Sequence, residues 1–355
     1  MTSSLLQRLG IALPIIQGPM TGSDTPALAA AVSSAGGLGM LGCGMRSPAA
    51  MAEAAAAVRQ QTDRPFGMNL FVQATPNPDE ATVQAAMERL APLYAELGLQ
   101  PQRPTQWCED FAAQFEALVA LRPAVASFTF GILDAAQVAR LHAAGCLVVG
   151  TATTVAEARA WAQVGADVVC ASGTEAGGHR GTFLGDFTAS QVGTLALVPQ
   201  CVDAVDIPVI AAGGIMDGRG IAAAQALGAQ AVQMGTAFLA CPESGIGPAY
   251  RQALAQAQDT DTRLTRVFSG RPARGIVNAM MEALAAEEDR VPAYPVQNAL
   301  TGALRRAAAA QGRTSHLSLW AGQGVGTARA LPAGELVAVL ADEWRAACGR
   351  LAAAA

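Results

Sequence analysis

The segment ASGTEAGGHRG (171–181) carries four glycines, a glutamate, a histidine and an arginine within eleven residues. A helix with that much glycine loses too much backbone entropy to hold. The segment is therefore a loop whose main chain fits closely around something. Its titratable centre is His179, and an imidazole with an ordinary pKa of about 6.5 can take or give a proton near neutrality. Arg180 and Glu175 beside it read as a pair that holds the loop. Of the other histidines, His142 in RLHAAG reads as a surface residue of a helix, whereas His316 in TSHLSLW stays open between a surface role and a ligand contact. No HxH, HExxH or CxxC pattern occurs, so no metal centre is expected.

Two further segments place glycines where an anion could approach the main chain. AAGGIMDGRG (211–220) and QMGTAF (233–238) follow the last two of the apolar runs described below, and together they offer Gly213, Gly214, Gly235 and the hydroxyl of Thr236. Glycines at two neighbouring strand ends suit a phosphate better than tight turns alone would require. Asn69, Ser127, Thr129 and Gly131 close two other runs with amide, hydroxyl and backbone groups that could hydrogen-bond a heteroaromatic ring.

The elements that must position these residues alternate regularly. Eight apolar runs, at 13–20, 37–44, 65–71, 125–131, 146–153, 167–173, 208–214 and 231–238, end in small or polar residues, and alanine-rich stretches of helical spacing separate them. Continuous apolar strands without in/out alternation indicate a parallel sheet covered on both faces. Eight of them with intervening helices give the α/β class and a closed (β/α)8 TIM barrel, with function at the carboxyl ends of the strands. The alternative, a doubly wound open sheet, lacks its GxGxxG fingerprint after the first strand, which ends in QGPM. Residues 1–244 are expected to form the barrel, with a helical insertion at 76–122. Residues 245–325 are expected to form a smaller, mostly helical domain over the mouth formed by the carboxyl ends of the strands. The amphipathic stretch 326–355 either returns to the barrel or serves as the contact of a homodimer.

Composition removes several chemistries. The 23 basic residues are all arginine, so no Schiff-base lysine, pyridoxal-phosphate lysine or phosphate-loop lysine exists. Against 28 acidic residues they leave a net charge of −5, and no basic stripe points to nucleic acid. The seven cysteines are scattered and read as small buried hydrophobes of a reducing compartment. No apolar run reaches the ~18 residues of a spanning helix, and MTSSLLQRLGIALP lacks the pattern of a signal peptide. A cytoplasmic protein acting on a small molecule, with neither membrane nor nucleic acid as partner, is the expectation.

Taken together, QGPMTG (17–22), MNLF (68–71), SFTFG (127–131), TEAGGHRG (174–181), AAGGI (211–215), QMGTAFL (233–239), FSGRPARG (268–275) and WAGQG (320–324) resemble the nitronate monooxygenase family, also called 2-nitropropane dioxygenases, and its class I branch in particular. The resemblance implies FMN at the mouth of the barrel, contacted by Met20, Asn69, Ser172, Gly177, Gly214, Gln233, Met234, Gly235 and Thr236. Ser172 stands where relatives often carry glutamine. His179 matches the family's catalytic histidine, a base toward neutral nitroalkanes or a partner for anionic nitronates. The implied reaction is oxidation of alkyl nitronates by O2 to a carbonyl product and nitrite. It proceeds by one-electron transfer through a flavin semiquinone, without NAD(P)H, with propionate 3-nitronate as the favoured substrate. Its charge would be met by Arg180, Arg271 or Arg274, since no lysine is present and Tyr294 is the lone tyrosine of YPVQNALTGALRR. The alternative within flavoenzymes is an NAD(P)H-dependent quinone or enoyl reductase on the same barrel. A non-catalytic flavin or metabolite sensor and a (β/α)8 isomerase are the readings outside that class.

Overall fold

The computed structural model describes residues 5–354; Met1–Ser4, which open the stretch read for a signal peptide, and Ala355, the last residue of the C-terminal stretch, lie outside the described residues. Eight strands run parallel: β1 (Ile15–Gln17), β2 (Gly39–Gly42), β3 (Phe66–Phe71), β4 (Val125–Thr129), β5 (Leu147–Ala152), β6 (Val168–Ser172), β8 (Val209–Ala212) and β9 (Ala231–Met234). Each falls inside one of the eight apolar runs. The order β1-β9-β8-β6-β5-β4-β3-β2 comes back on itself through a parallel bridge between Ile16 and Leu38. The side chain of Gln17 spans the same seam, its Oε1 accepting from the Met40 amide at 2.9 Å. The α/β barrel expected from the alternation is thus the fold.

Side chains divide the apolar mass into two layers, as alternation along a barrel strand requires. Ile16, Met40, Val125, Val149, Cys170, Ile210 and Ala231 fill the lumen together with Leu5 and Leu9 of a short helix (Leu5–Leu9). That helix is tied to residues preceding the strands, Arg8 to Asp167 at 2.5 Å and the Leu5 amide to Gln230 Oε1 at 3.3 Å. It therefore plugs the amino end and leaves the carboxyl ends free for chemistry. The opposite strand face packs on the surrounding helices through Leu41, Met68, Phe128, Val148, Val169 and Val232. All seven cysteines are free, and five are buried.

Beyond the strand ends a second apolar cluster joins the helix Glu80–Ala95, through Val83, Leu90 and Tyr94, to Val267, Phe268, Met280, Leu300 and Leu304. The helix Phe111–Leu121 packs instead on the barrel, with Phe115 and Leu118 in its outer layer. The insertion is therefore split between two cores. The helix Ala333–Ala354 lies against helices Gly218–Ala226 and Pro26–Ser34, burying Leu336, Val337 and Leu340 in the barrel's outer layer.

The regular elements of residues 245–325 are mostly helical, and two short strands, β10 (Thr262–Thr265) and β11 (Ala273–Ile276), pair antiparallel among the helices. β11 also pairs with β7 (Gly178–His179), inside the segment read as a loop. These strands hold two to four residues, too short to show period-two alternation, and β7 and β11 lie far apart in the chain. The reason for their pairing is tertiary.

Candidate active site

β6 delivers the chain to the barrel mouth at Ser172, and buried polar contacts hold the loop that follows. Glu175 accepts from both the amide and the hydroxyl of Thr194 at 2.9 Å. Arg180, 1% exposed, donates to the carbonyls of Ser172 at 2.9 Å and Gly173 at 2.5 Å. The expected Glu175–Arg180 pair does not form; each side chain ties the loop to a different stretch of main chain. A guanidinium carries five fixed donors, so it can clamp several carbonyls that a carboxylate could not.

The antiparallel pairing of His179 with Ala273 fixes the histidine backbone. Its imidazole lies among aromatic rings: Trp320 at 5.4 Å, Phe130 at 5.5 Å and Tyr294 at 5.5 Å between centroids. Nε2 is 2.8 Å from the hydroxyl of Ser269. Burial, helped by the cations Arg271 and Arg305, holds the imidazole down to about 3, so it is neutral at physiological pH. Phe130 adopts a φ of 77°, a left-handed conformation costly for a bulky residue. In exchange its ring stacks on Phe71 at 4.2 Å and lies 4.1 Å beneath the Arg271 guanidinium.

The arginines sort themselves by partner. Arg180 and Arg274 are spent on backbone; Arg274 reaches the Thr174 carbonyl at 3.1 Å and Thr262. Arg271 donates to the carbonyls of Arg180, at 2.9 Å, and Thr182, while its charge bears on His179 and Tyr294. Arg305, within the helix Gly302–Ala310, carries no local mark in the sequence. It donates to the carbonyl and side-chain oxygens of Asn298 at 2.9 Å and to Thr301, and it forms no ion pair with a carboxylate among the described residues. Burial lowers it only to about 10, so it remains a cation beside Tyr294 and His179. The other histidines stand elsewhere, His142 paired with Asp167 at 2.8 Å and His316 with Glu96 at 3.2 Å.

The residues expected to meet a cofactor gather at the ends of β1, β3, β6, β8 and β9. Met20 is half-buried, its amide donating to the buried Asp24, which also accepts from Gly42 and Arg46. Asn69 donates to Ser127 across β3 and β4 at 2.9 Å. Ser172 and Gln233 are half-buried and Gly214 is exposed. The amides of Gly214 and Gly235 donate to no acceptor among the described residues. A Cβ built on Gly235 would find open space, with only the Met20 sulfur at 4.0 Å. Three of the set behave differently. Gly177 abuts the WAGQG loop, where a Cβ would fall 2.5 Å from the Gly322 amide. The Thr236 hydroxyl accepts from that same Gly322 amide at 2.9 Å. Met234 buries its side chain in the barrel's outer layer, so only its backbone stands at the strand end.

The chain as a whole is similar to known proteins. A family model described as nitronate monooxygenase matches residues 2–343. The chain is 45% identical over 352 residues to the nitronate monooxygenase of Pseudomonas aeruginosa, covering 97% of this chain and 100% of that one. It is 43% identical over 324 residues to a probable nitronate monooxygenase of Staphylococcus haemolyticus, covering 90% and 91% of the two chains. Among solved structures, nitroalkane oxidase from Streptomyces ansochromogenes superposes with a TM-score of 0.90 at 44% identity, covering 98% and 99% of the chains. FabK from Thermotoga maritima follows at 0.79 and 31%, with full coverage of both. Matched along nearly its whole length by the family model and by these relatives, this chain belongs to the nitronate monooxygenase family of oxidoreductase enzymes.

Proposed function

We propose that the chain binds FMN at its strand ends and oxidises alkyl nitronates, propionate 3-nitronate among them, with O2, giving a carbonyl product and nitrite. Support for the flavin comes from the donors that the fold leaves without partners. The free amides of Gly214 and Gly235, with open space before Gly235, suit a phosphate. The polar groups of Asn69, Ser172 and Gln233 and the half-buried Met20 would border the ring system, with Gly177, Met234 and Thr236 shaping the surround. When bound, the flavin supplies the electron transfer between nitronate and O2.

The protein's own part is to bind, orient and move a proton. The observation that carries the reading is the neutral His179 beside two cations, Arg271 and Arg305, that form no ion pair with a carboxylate among the described residues, inside a wall of Phe71, Phe130, Tyr294 and Trp320. Such a pocket welcomes an anion of modest size and excludes water. With a neutral nitroalkane, His179 takes the α-proton. The nitronate formed at that instant raises the affinity of the imidazole for its new proton, offsetting the weak basicity that burial imposes.

Arg305 is placed to meet a charged substrate tail. Arg305→Met should raise KM for propionate 3-nitronate about 10- to 100-fold, the value of a charge-assisted hydrogen bond, and leave ethyl nitronate within about threefold. Steady-state oxygen consumption with both substrates measures this. The domain division enters here: residues 80–97 and 245–325 form the cover of the site, and the barrel with the last helix forms its floor.

The reading as a whole is tested by mixing the FMN-loaded protein anaerobically with propionate 3-nitronate or NADH. Change in the flavin absorbance with the nitronate, and almost none with NADH, is the expected result. Rapid bleaching by NADH alone would transfer the chain to the reductases. Absence of flavin absorbance after FMN is supplied would overturn both.

A further inference from the structure

Ser269 is 0% exposed and touches no strand-end residue proposed to meet the flavin, yet its hydroxyl is the hydrogen-bond partner of the site's base. A serine hydroxyl has one proton and two lone pairs. Three groups lie within reach of the Ser269 oxygen: His179 Nε2 at 2.8 Å, the Arg271 carbonyl at 3.1 Å and the Arg271 amide at 3.3 Å. The carbonyl can only accept, so it takes the single hydroxyl proton. The amide can only donate, so it uses one lone pair. What remains for His179 is the other lone pair, and Nε2 must bring its own hydrogen. The opposite arrangement, with the hydroxyl donating to Nε2, would strand the Arg271 carbonyl, which has no other donor among the described residues.

From this accounting we infer that Ser269 is a positioning residue that holds His179 as the Nε2–H tautomer, so that Nδ1 is the nitrogen that takes the substrate proton. Nδ1 makes no hydrogen bond to protein among the described residues, which leaves its lone pair available. The low affinity of this imidazole for a second proton keeps the ring neutral across the working pH range, so the hydrogen bond to Ser269 decides between its two neutral tautomers. The support for Ser269 is itself tied down. Arg271, which provides both the carbonyl and the amide, is anchored through its side chain to the carbonyls of Arg180 and Thr182 on the far side of His179. The tautomer is thus set by one continuous piece of the cover. In the free imidazole the two tautomers differ little in energy, and a missing pin would divide the population and halve or worse the competent fraction.

The catalytic consequence rests on the nitronate reading, but the tautomer does not, and that separates the two tests. The protein is labelled with [15N]histidine and its imidazole nitrogens are followed by NMR in the FMN-loaded form, with His142→Gln and His316→Gln used for assignment. A protonated Nε2 and a pyridine-type Nδ1 for His179 are expected. A protonated Nδ1, or averaging of both nitrogens, overturns the inference even if nitronate oxidation is intact. Ser269→Ala should convert the His179 signals to an average of tautomers and lower kcat for neutral nitroalkanes about twofold, without altering flavin binding or oxidation of preformed nitronates. Unchanged His179 signals in that variant would show that Ser269 is not the pin. If the protein proves to bind no FMN, the same spectra of the protein as purified still decide the tautomer.

Discussion

His179→Asn leaves a folded, flavin-binding protein whose kcat/KM for neutral nitroethane falls by about 100- to 10,000-fold, the span associated with losing a positioned general base. Oxidation of preformed ethyl nitronate falls by less than about tenfold. Asparagine keeps a planar polar group of similar reach among the rings of Phe130, Tyr294 and Trp320, so the pocket does not collapse. It has no basic nitrogen, so the α-proton of the nitroalkane has nowhere to go. A substrate that arrives already deprotonated needs no base and escapes most of the penalty. Equal losses on both substrates, measured by oxygen uptake, would assign the histidine to substrate placement instead.

The wild-type pH profile belongs to the same experiment. The folded imidazole is held at about 3 against an ordinary 6.5, so it stays neutral through the mildly acidic range. An acid limb centred near 6.5 in kcat/KM is therefore not expected from the free enzyme. The sign for stability follows from the depressed value. The contribution of His179 is fully present above its ordinary 6.5 and is lost as pH falls toward about 3, because the unfolded chain takes up the proton first.

Gly235→Val should give a protein with ordinary thermal unfolding and circular dichroism that purifies without colour and fails to retain added FMN. Two facts set this apart from a destabilising change. The backbone at Gly235 has a φ of −95°, open to any residue, and a Cβ there approaches nothing nearer than the Met20 sulfur at 4.0 Å. The methyl groups of valine would enter the open space beside Gly235, whose amide has no acceptor among the described residues. A phosphate displaced from that amide loses a charge-assisted hydrogen bond and meets apolar surface, so affinity should drop at least about 100-fold. Retention of FMN at wild-type affinity, read by fluorescence titration, would move the phosphate away from the end of β9.

How much of this was legible in the sequence follows from how local each signal is. The strands of the barrel announce themselves because each is a short apolar run closed by glycine or a small polar residue. His179 stands out through the glycines packed around it. The residues that make His179 chemically distinctive do not. Phe130, Ser269 and Trp320 lie in segments that carry the family resemblance and Tyr294 is the lone tyrosine of its own, but these segments are far apart in the chain and only the fold, with β7 paired to β11, shows that they meet around His179. Arg305, in GALRRAAAA, carries the pattern of an ordinary exposed helix position, and the fold turns it toward Tyr294. Arg180 and Glu175 misled through adjacency, since neighbours of opposite charge invite pairing until buried carbonyls nearby prove the better partners.

The last helix bears on how the molecule is made. It occupies the gap between the first barrel helix, Pro26–Ser34, and the one before the final strand, Gly218–Ala226, where Trp344 donates to Gln225 at 2.6 Å. During synthesis all eight barrel strands leave the ribosome before this segment does. Until it emerges, both flanking helices present an apolar groove with no occupant, and chaperones have a defined surface to hold. Completion of the barrel therefore follows the synthesis of all eight strands, and this late, sequence-distant docking is the step most exposed to aggregation.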